Sequence, residues 1–307
     1  MPRTFFIVGP TATGKSELAA DVAREIGAEI VSADAFQIYR GLDLLTAKPG
    51  AGTPAKAPHH LIGMMSIDEE MNAEKFRSAA LRAIKEIHSR GKLAFVVGGS
   101  GLYIKALTHG LAVLPQVDPK LRAKLNALSM DELRAQLFDV DPETTRQIDT
   151  RNRRRLVRAL EICLTTGKRA SDQRKQWPAL TRIPAKGVFV FRDREELYAR
   201  INDRVEAMFE NGVIEEVRTA GATSATASQM IGFREIHELL AGPADAGSIL
   251  QCVAAIQQAT RRYAKRQLTW FRRQTNFEPL NLSLLSHNEA VKWISQRARR
   301  SFARRND

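Results

Sequence analysis

Near the start of the chain, an apolar run leads directly into a glycine-rich segment. The sequence there reads Thr4-Phe5-Phe6-Ile7-Val8-Gly9-Pro10-Thr11-Ala12-Thr13-Gly14-Lys15-Ser16. Its last eight residues fit the phosphate-loop pattern G-x-x-x-x-G-K-[ST]. In such a loop, backbone amides approach phosphate oxygens and the following helix offers its positive N-terminus. We therefore predict that residues 9–16 bind a phosphate chain, with Lys15 across its terminal phosphates and Ser16 on a Mg²⁺ ion.

Strand and helix patterns alternate on both sides of this loop. Buried strands are predicted over residues 5–8, 29–34, 93–97 and 188–191, and a loop over 50–58. Helices are predicted over residues 15–26, about 72–90, 195–211 and 233–240, with a long helix ending near Arg273. The alternation is typical of an α/β protein with a parallel sheet, which with the phosphate loop predicts a P-loop NTPase-like core.

The middle of the chain has a different character. Residues 115–185 are predicted to be helical and basic, and we interpret them as a helical insertion domain. The core domain would then comprise residues 1–114 and 186–307, including the C-terminal helices. The last basic stretch, from Arg297 to Arg305, is expected to be frayed or disordered.

The net charge of +13 is unevenly distributed along the chain. Residues 1–114 carry 13 Lys and Arg against 11 Asp and Glu, whereas residues 115–185 carry 15 against 9 and residues 186–307 carry 19 against 14. A polyanion is therefore expected to bind mainly downstream of the phosphate loop. Charge alone leaves nucleic acid, an acidic membrane surface and simple solubility open.

Composition excludes several classes of protein. With only two cysteines, Cys163 and Cys252, the chain holds neither a disulfide framework nor a cysteine-rich zinc site. No apolar run approaches the ~18 residues that a membrane span needs, and the N-terminus does not resemble a signal peptide. We expect a cytoplasmic protein that does not contact membranes.

The strand ends point to an unusual use of the phosphate loop. The strand over residues 93–97 runs into Gly98-Gly99-Ser100, without the acidic residue that would hold magnesium in a hydrolysing NTPase. Asp34 instead follows the preceding strand, and the carboxyl ends of parallel strands face the ligand crevice. Asp34 is either a general base for an incoming nucleophile or simply a cap for the turn into Ala35 and Phe36.

A series of segments resembles the bacterial tRNA dimethylallyltransferases over about residues 5–273. These segments are Gly9–Ser16, Ser32–Asp43, Thr46–Pro49, His59–Ile62, Gly98–Tyr103, Arg155–Glu161, Gln229–Glu235 and Lys265–Phe271. The resemblance implies transfer of a dimethylallyl group from dimethylallyl diphosphate, with Mg²⁺, to N6 of the adenosine immediately 3′ to the anticodon of tRNA. It also implies partners, namely dimethylallyl diphosphate and the anticodon arm of tRNA, and we expect the enzyme to act as a monomer.

The same resemblance implies roles for individual residues. Asp34 matches the family's base, Ser100 lies at the mouth of the reaction channel where threonine is common, and Lys15 is the third predicted catalytic residue. Arg204, and less specifically Arg200, match diphosphate contacts, as do Thr11 and Thr13 within the loop Gly9, Pro10, Thr11, Ala12, Thr13, Gly14, Lys15 and Ser16. The expected tRNA contacts are Asp34, Ala35, Phe36, Gln37, Ser100, Arg122, Arg154, Arg155, Leu156, Val157, Arg158, Gln229, Met230, Ile231, Gly232, Phe233, Arg234, Lys265, Arg266, Gln267, Leu268, Thr269, Trp270, Phe271 and Arg272.

Simpler interpretations of several residues stay open. The arginines between Arg151 and Arg158 are equally consistent with a solvated helix face. The basic residues between Arg261 and Arg273 alternate with Tyr263, Trp270 and Phe271, which favours RNA because aromatic rings stack on bases. Adjacent His59 and His60 are poorly placed to chelate one metal, so a structural or loop role is expected.

Three other functions compete with tRNA prenylation. A P-loop small-molecule kinase would bind a nucleoside triphosphate but has no use for a basic insertion. A free-nucleotide (adenylate) isopentenyltransferase would share the phosphate loop and Asp34 but lack an extended RNA surface. An RNA-binding protein with a vestigial phosphate loop is the third alternative.

Overall fold

A computed structural model of the chain describes residues 3–50, 52–111, 118–175, 185–243 and 245–303. The chain folds into two compact units, one formed by Met1–Thr108 with Arg182–Asp307 and the other by His109–Thr181. Among the described residues of the first unit, six parallel strands form one sheet in the order β3-β2-β4-β1-β5-β6. The strands are β1 (Thr4–Val8), β2 (Ala28–Ser32), β3 (His59–His60), β4 (Leu93–Gly98), β5 (Lys186–Phe191) and β6 (Glu278–Asn281). The predicted α/β class with a parallel sheet is confirmed.

Helices of the first unit cover both faces of this sheet. They are α1 (Lys15–Ile26), α2 (Ala73–Ser89), α3 (Gly101–His109), α9 (Arg194–Glu210), α10 (Val213–Arg218), α11 (Phe233–Ala241), α12 (Ala246–Arg272) and α13 (His287–Ala303), with 3-10 turns at Ala227–Gln229 and Leu282–Leu284. Helices α4 to α8 lie in the second unit. Within the described residues, no helix is both long and apolar enough to cross a membrane.

Strand β1 shows why a continuous apolar run marks a buried parallel strand. Successive side chains point to opposite faces, so Phe5 and Ile7 pack with the cluster that includes α1 and α13. Phe6 and Val8 pack on the other face, with residues of α2, α3 and α9 to α12. Both faces of β1 are therefore covered. The strand ends at Val8, and the phosphate loop begins at Gly9.

The C-terminal stretch is helical where the sequence predicted fraying. Helix α13 extends to Ala303 and packs against α1, with Ile294 and Ala298 fully buried. Its buried positions recur at helical spacing among many charged residues, so the density of charge obscured an apolar stripe. The prediction of fraying is therefore wrong over residues 297–303, and residues 304–305 lie outside the described residues. Strands β3 and β6 were also missed, because each is short.

The second unit has its own hydrophobic core. Its described residues form α4 (Pro119–Ala127), α5 (Met130–Val140), α6 (Pro142–Gln147), α7 (Arg153–Thr166) and α8 (Ala170–Lys175). Leu133, Leu137, Leu156 and Leu160 are fully buried where α5 meets α7. The boundaries between the two units fall at residues 108/109 and 181/182, whereas the sequence placed them at 114/115 and 185/186. The first boundary moves because α3 ends at His109 and Gly110 follows with a φ of 74°, several residues before the Pro115 used as a sequence marker.

Candidate active site

The phosphate loop joins the carboxyl end of β1 to the first residue of α1. Gly14 immediately precedes α1 with a φ of 86°, a conformation that favours glycine. Having no side chain, Gly14 cannot cap the amide groups of the first helical turn. These amides, together with the helix dipole, are therefore suited to binding an anion, as the sequence motif predicts.

Three arginines hold this loop from the side of β5 and α9. Each donates a hydrogen bond to a different loop residue, so their positive charges are fixed around the anion site. Arg192 Nε donates to the Thr13 carbonyl at 3.0 Å, Arg200 Nε to the Ala12 carbonyl at 2.9 Å, and Arg204 Nη1 to Thr11 Oγ1 at 2.9 Å.

Lys15 folds back onto the loop and is partly buried. Its Nζ donates to the Pro10 carbonyl at 3.1 Å. Burial lowers the pKa of Lys15 from 10.5 to about 8, because the charged ammonium is removed from water. Asp34 opposes this shift, whereas the neighbouring Arg204 adds to it. An anion bound to the loop would therefore stabilise the charged form of Lys15.

Arg204 is a second cation with incomplete pairing. Its Nε is buried and has no hydrogen-bond partner within the described residues, where Arg204 also has no ion pair with a carboxylate. Burial lowers the pKa of the guanidinium, an effect that Asp34 opposes. Buried charges are costly unless paired, so Arg204 is suited to a bound anion beside Thr11.

Asp34 both caps a turn and lines the site. One carboxylate oxygen, Oδ1, accepts the amides of Phe36 at 3.0 Å and Gln37 at 3.4 Å. The capping interpretation of Asp34 is therefore correct for Oδ1. Oδ2 accepts no hydrogen bond from the described residues, and the Asp34 side chain lines two clefts. The same residue thus has a fixed orientation and one oxygen open to a substrate.

Ser100 braces the backbone next to Asp34. Its Oγ accepts the Ala35 amide at 3.0 Å, and the residue is only 8% exposed. Burial together with the nearby Asp34 carboxylate raises the pKa of Tyr263, and the neighbouring Ser100 hydroxyl opposes this shift. Ser100 and Tyr263 therefore form a polar wall beside the proposed base.

Two clefts meet at Asp34. The larger, about 580 Å³ including its open mouth, has Thr11, Asp34 and Arg204 at its polar end. The smaller, about 340 Å³, is lined by Lys15, Ser16, Ser32 and Asp34 among others. The rest of the larger cleft is mostly apolar and is formed by Phe36, Leu45, Val205, Met208, Met230, Ile231 and Ile256. The phosphate loop, a carboxylate and an apolar cleft thus converge within the first unit.

Helix α12 exposes only part of the segment predicted to contact tRNA. Gln267 and Phe271 are buried, so their side chains do not reach solvent in this structure, and their predicted part in tRNA binding stays a prediction. The helical period turns them towards the core, and Leu268 and Trp270 are partly buried. The exposed side chains of this segment are Lys265, Arg266, Thr269 and Arg272.

The segment from Gln229 to Arg234 is divided in the same way. Gln229 and Arg234 are exposed, whereas Met230 and Phe233 are buried in the core of the first unit. Met230 also lines the larger cleft, and the predicted contacts of Met230 and Phe233 with tRNA stay predictions. Ile231 lines that cleft as well, and Gly232 is buried against Leu45 and Ile256.

In the second unit, two of the predicted arginines already have an internal partner. Arg122 and Arg158 both bind the buried carboxylate of Glu161, at shortest N–O distances of 2.5 and 3.1 Å. Arg154 and Arg155 are exposed. Leu156 and Val157 are 0% and 4% exposed and belong to the core of this unit, so their predicted part in tRNA binding stays a prediction. Of this predicted segment, Arg154 and Arg155 are the residues best placed to meet a ligand.

The histidine pair has structural contacts. His59 and His60 form β3, where His60 Nε2 lies 2.8 Å from Glu29 Oε2 and His59 Nδ1 lies 2.7 Å from the Ala57 carbonyl oxygen. Within the described part of the chain, no three His, Cys, Asp or Glu side chains cluster as metal ligands.

Three residues shape the site through contacts that the sequence did not indicate. Arg192 directly follows β5, the neighbour of β1, and its position at the carboxyl end of a parallel strand was an available signal. Tyr263 was recognised only as an aromatic residue on a basic helix. Gln267 carries no sequence signal for its contact with the phosphate loop, because 256 residues separate it from Thr11.

Comparison with known proteins connects this geometry to a family. A family model described as IPP transferase matches residues 37–274 of the chain. tRNA dimethylallyltransferase 1 of Citrifermentans bemidjiense is 44% identical over 273 residues, covering 87% of this chain and 88% of that protein. tRNA dimethylallyltransferase of Akkermansia muciniphila is 41% identical over 271 residues, covering 88% of this chain and 90% of that protein.

Solved structures agree with the sequence relatives. The full-length tRNA isopentenylpyrophosphate transferase of Bacillus halodurans matches with a TM-score of 0.70 and 31% identity, covering 98% of each chain. A eukaryotic dimethylallyltransferase, described as acting on tRNA, matches with a TM-score of 0.74 and 25% identity, covering 91% of this chain and 74% of that one. The resemblance found in the sequence is thereby confirmed: this chain belongs to the IPP transferase family.

Proposed function

We propose that this chain transfers a dimethylallyl group from dimethylallyl diphosphate to N6 of the adenosine directly 3′ to the anticodon of tRNA, releasing diphosphate. The observation that carries this proposal is the meeting of the phosphate loop, Asp34 and an apolar cleft. The relatives named tRNA dimethylallyltransferase support it over most of the chain.

The phosphate loop would bind the diphosphate of the donor. Lys15 and Arg204 are both cations whose burial disfavours their charge, so a diphosphate restores the missing partner of each. The amides at the start of α1 add neutral donors. These groups also stabilise the negative charge that develops as the carbon–oxygen bond breaks.

The dimethylallyl group would occupy the apolar wall of the larger cleft. A branched five-carbon group has no hydrogen-bonding atoms, and side chains such as Val205, Met208 and Ile256 form a surface of matching polarity. Because Thr11 and Arg204 line the same cleft, the reactive carbon would lie between the loop and Asp34.

The residues beside the loop fit a Mg²⁺ ion. Ser16, Ser32 and Asp34 line the smaller cleft and offer the hard oxygen ligands that this ion prefers. When bound, the ion would neutralise phosphate oxygens and so make diphosphate a better leaving group. Ser16 is the residue that we assign to its coordination.

Asp34 would act as the base. The adenine N6 attacks the primary allylic carbon, the carbon–oxygen bond electrons leave with the diphosphate, and the N6 proton passes to Asp34 Oδ2. Because the Phe36 amide holds Oδ1, the carboxylate keeps its orientation without blocking Oδ2. To reach this site, the adenine must leave its stack, as is usual for enzymes that modify a base.

Exposed basic residues would bind the anticodon arm of tRNA. On α12 these are Lys265, Arg266 and Arg272, and in the second unit they are Arg154 and Arg155. Cations of this kind bind RNA mainly through phosphates. The predicted monomeric state and cytoplasmic location stay predictions.

Incubation with labelled dimethylallyl diphosphate and Mg²⁺ tests the proposal, with unmodified tRNA, AMP or ATP added in turn. Label should enter tRNA alone, at the adenosine 3′ to the anticodon. Label in AMP would instead identify a free-nucleotide enzyme, and phosphate transfer from ATP would identify a kinase. Binding of tRNA without transfer would leave only an RNA-binding protein with an inactive loop.

A further inference from the structure

Gln267 is buried on α12, although several of its neighbours in sequence are exposed. Lys265, Arg266 and Thr269 are exposed, whereas Gln267 is only 6% exposed. A buried glutamine is favourable only when its amide is hydrogen-bonded, because an unpaired buried amide is costly. The partners of this side chain therefore indicate why glutamine stands here.

The Gln267 amide bridges two backbone segments of the active site. Its Oε1 accepts the Thr11 amide of the phosphate loop at 2.9 Å, and its Nε2 donates to the Gly99 carbonyl at 2.9 Å. Both polar atoms of the amide are thus used, and the amide sets the separation of Thr11 from Gly99.

The two bridged segments have different roles in the proposed reaction. Thr11 belongs to the loop that would hold the leaving diphosphate. Gly99 precedes Ser100, whose hydroxyl accepts the Ala35 amide and so braces the backbone beside Asp34. A single side chain therefore connects the leaving-group site with the backbone that positions the base.

Close packing holds the amide in place. A methyl group added at Gly99 would lie 2.4 Å from Gln267 Nε2 and 2.9 Å from the Gly9 carbonyl oxygen. Such contacts are too short to exist without movement, so glycine at this position permits the bridge.

We propose that Gln267 is a positioning residue that holds the phosphate loop against the Gly99–Ser100 turn, and that it does not contact tRNA. The inference rests on the proposed function for its link to prenyl transfer. Gln267 would thus have a different role from its neighbours Lys265 and Arg266. The exposed face of α12 would bind RNA, whereas its buried face would align the phosphate loop.

The substitution Gln267→Met tests this proposal, because it keeps the side-chain length and removes both hydrogen bonds. The binding of inorganic pyrophosphate should weaken about tenfold, and kcat for tRNA prenylation should fall by about tenfold or more, as expected when a buried donor and acceptor lose their partners. The dissociation constant and KM for tRNA should stay within about twofold of wild type. A residue with only a folding role would lower Tm and the active fraction without changing pyrophosphate affinity.

Gln258→Met is the matched control, since Gln258 lies exposed on the same helix. This substitution should change neither the affinity for pyrophosphate nor the affinity for tRNA. The substitution Gly99→Ala should reproduce the pyrophosphate defect, because it displaces the amide from the other side. Unchanged pyrophosphate binding in Gln267→Met, or no binding by wild type, would overturn the inference, as would a selective loss of tRNA affinity. If Gln267→Met weakens pyrophosphate binding while wild type prenylates no tRNA, the loop role stands and the proposed function fails.

Discussion

At the scale of the residue, Asp34 combines two roles that the sequence presented as alternatives. Oδ1 caps the turn into Phe36, and Oδ2 is left to the clefts. Capping and catalysis are compatible because a carboxylate has two oxygens, and fixing one of them orients the other. A sequence motif can locate such a residue, but the division of work between its oxygens depends on the backbone around it.

Asp34→Asn separates these roles, because asparagine keeps an oxygen for the Phe36 amide and cannot accept the N6 proton. We expect kcat for prenyl transfer to fall by about 10²- to 10⁴-fold, the usual contribution of a general base. Affinity for tRNA should change less than about twofold, and Tm should be nearly unchanged. Single-turnover transfer of labelled dimethylallyl groups measures the rate, and filter binding measures the affinity for tRNA. A rate near that of wild type would remove Asp34 from the catalytic role.

The lowered pKa of Lys15 predicts how the affinity for pyrophosphate depends on pH. Its pKa in the free protein is about 8, and the bound anion stabilises the protonated form. Binding above pH 8 must therefore take up a proton, and affinity should fall by up to about tenfold per pH unit there. Below pH 8 Lys15 is already protonated and contributes no such slope.

Calorimetry in buffers of different ionisation enthalpy measures this proton uptake. Lys15→Met serves as the control, since the titration of pyrophosphate itself persists in that variant and can be subtracted. Equal proton uptake by wild type and Lys15→Met would contradict the assignment of the pH dependence to Lys15.

At the scale of the element, two helices that the sequence assigns to RNA binding each have one buried and one exposed, basic face. Helix α12 buries Gln267 and Phe271 and exposes Lys265, Arg266 and Arg272. Helix α7 buries Leu156 and Val157 and exposes Arg154 and Arg155. Each segment predicted to contact RNA therefore contains both exposed and buried side chains, because the helical period turns part of the segment towards the core.

The exposed arginines of α7 predict a salt effect on tRNA binding. Replacing Arg154 and Arg155 together with alanine should weaken the binding and reduce the slope of log K against log[salt] by about 1–2, as expected for the loss of up to two phosphate contacts. Titrations at several salt concentrations measure the slope. Arg151→Ala on the adjacent turn, where the side chain is also exposed, is the control. An unchanged slope would support a merely solvated helix face.

At the scale of the whole molecule, the sheet is covered on one face by helices from both ends of the chain. Helix α1 follows the phosphate loop, and α13 is the last helix described. Their packing completes the cluster that contains Phe5, Ile7, Ile294 and Ala298. The C-terminal helix therefore supports the strand from which the phosphate loop leaves the sheet.

Ile294→Ala tests this support. Removing the side chain from a fully buried site should lower the free energy of unfolding by about 2–5 kcal/mol through lost apolar packing and the cavity left behind. Chemical denaturation measures the change, and Gln296→Ala, on the exposed side of the same helix, should stay within about 0.5 kcal/mol of wild type. A change of similar small size in Ile294→Ala would mean that α13 does not share the core.

The local sequence by itself determined the phosphate loop, the parallel α/β core and the family, because these depend on short motifs, on buried strand runs and on their order. Only the tertiary structure decided the use of each polar atom. The Gln267 amide meets Thr11 and Gly99, Arg192 meets the Thr13 carbonyl, and α13 meets α1. These interactions join residues distant in sequence, and a single sequence carries no periodic signal for them. The physical reason is that a buried hydrogen bond depends on the separation of two backbones in space, which the packing of the whole sheet and its helices sets.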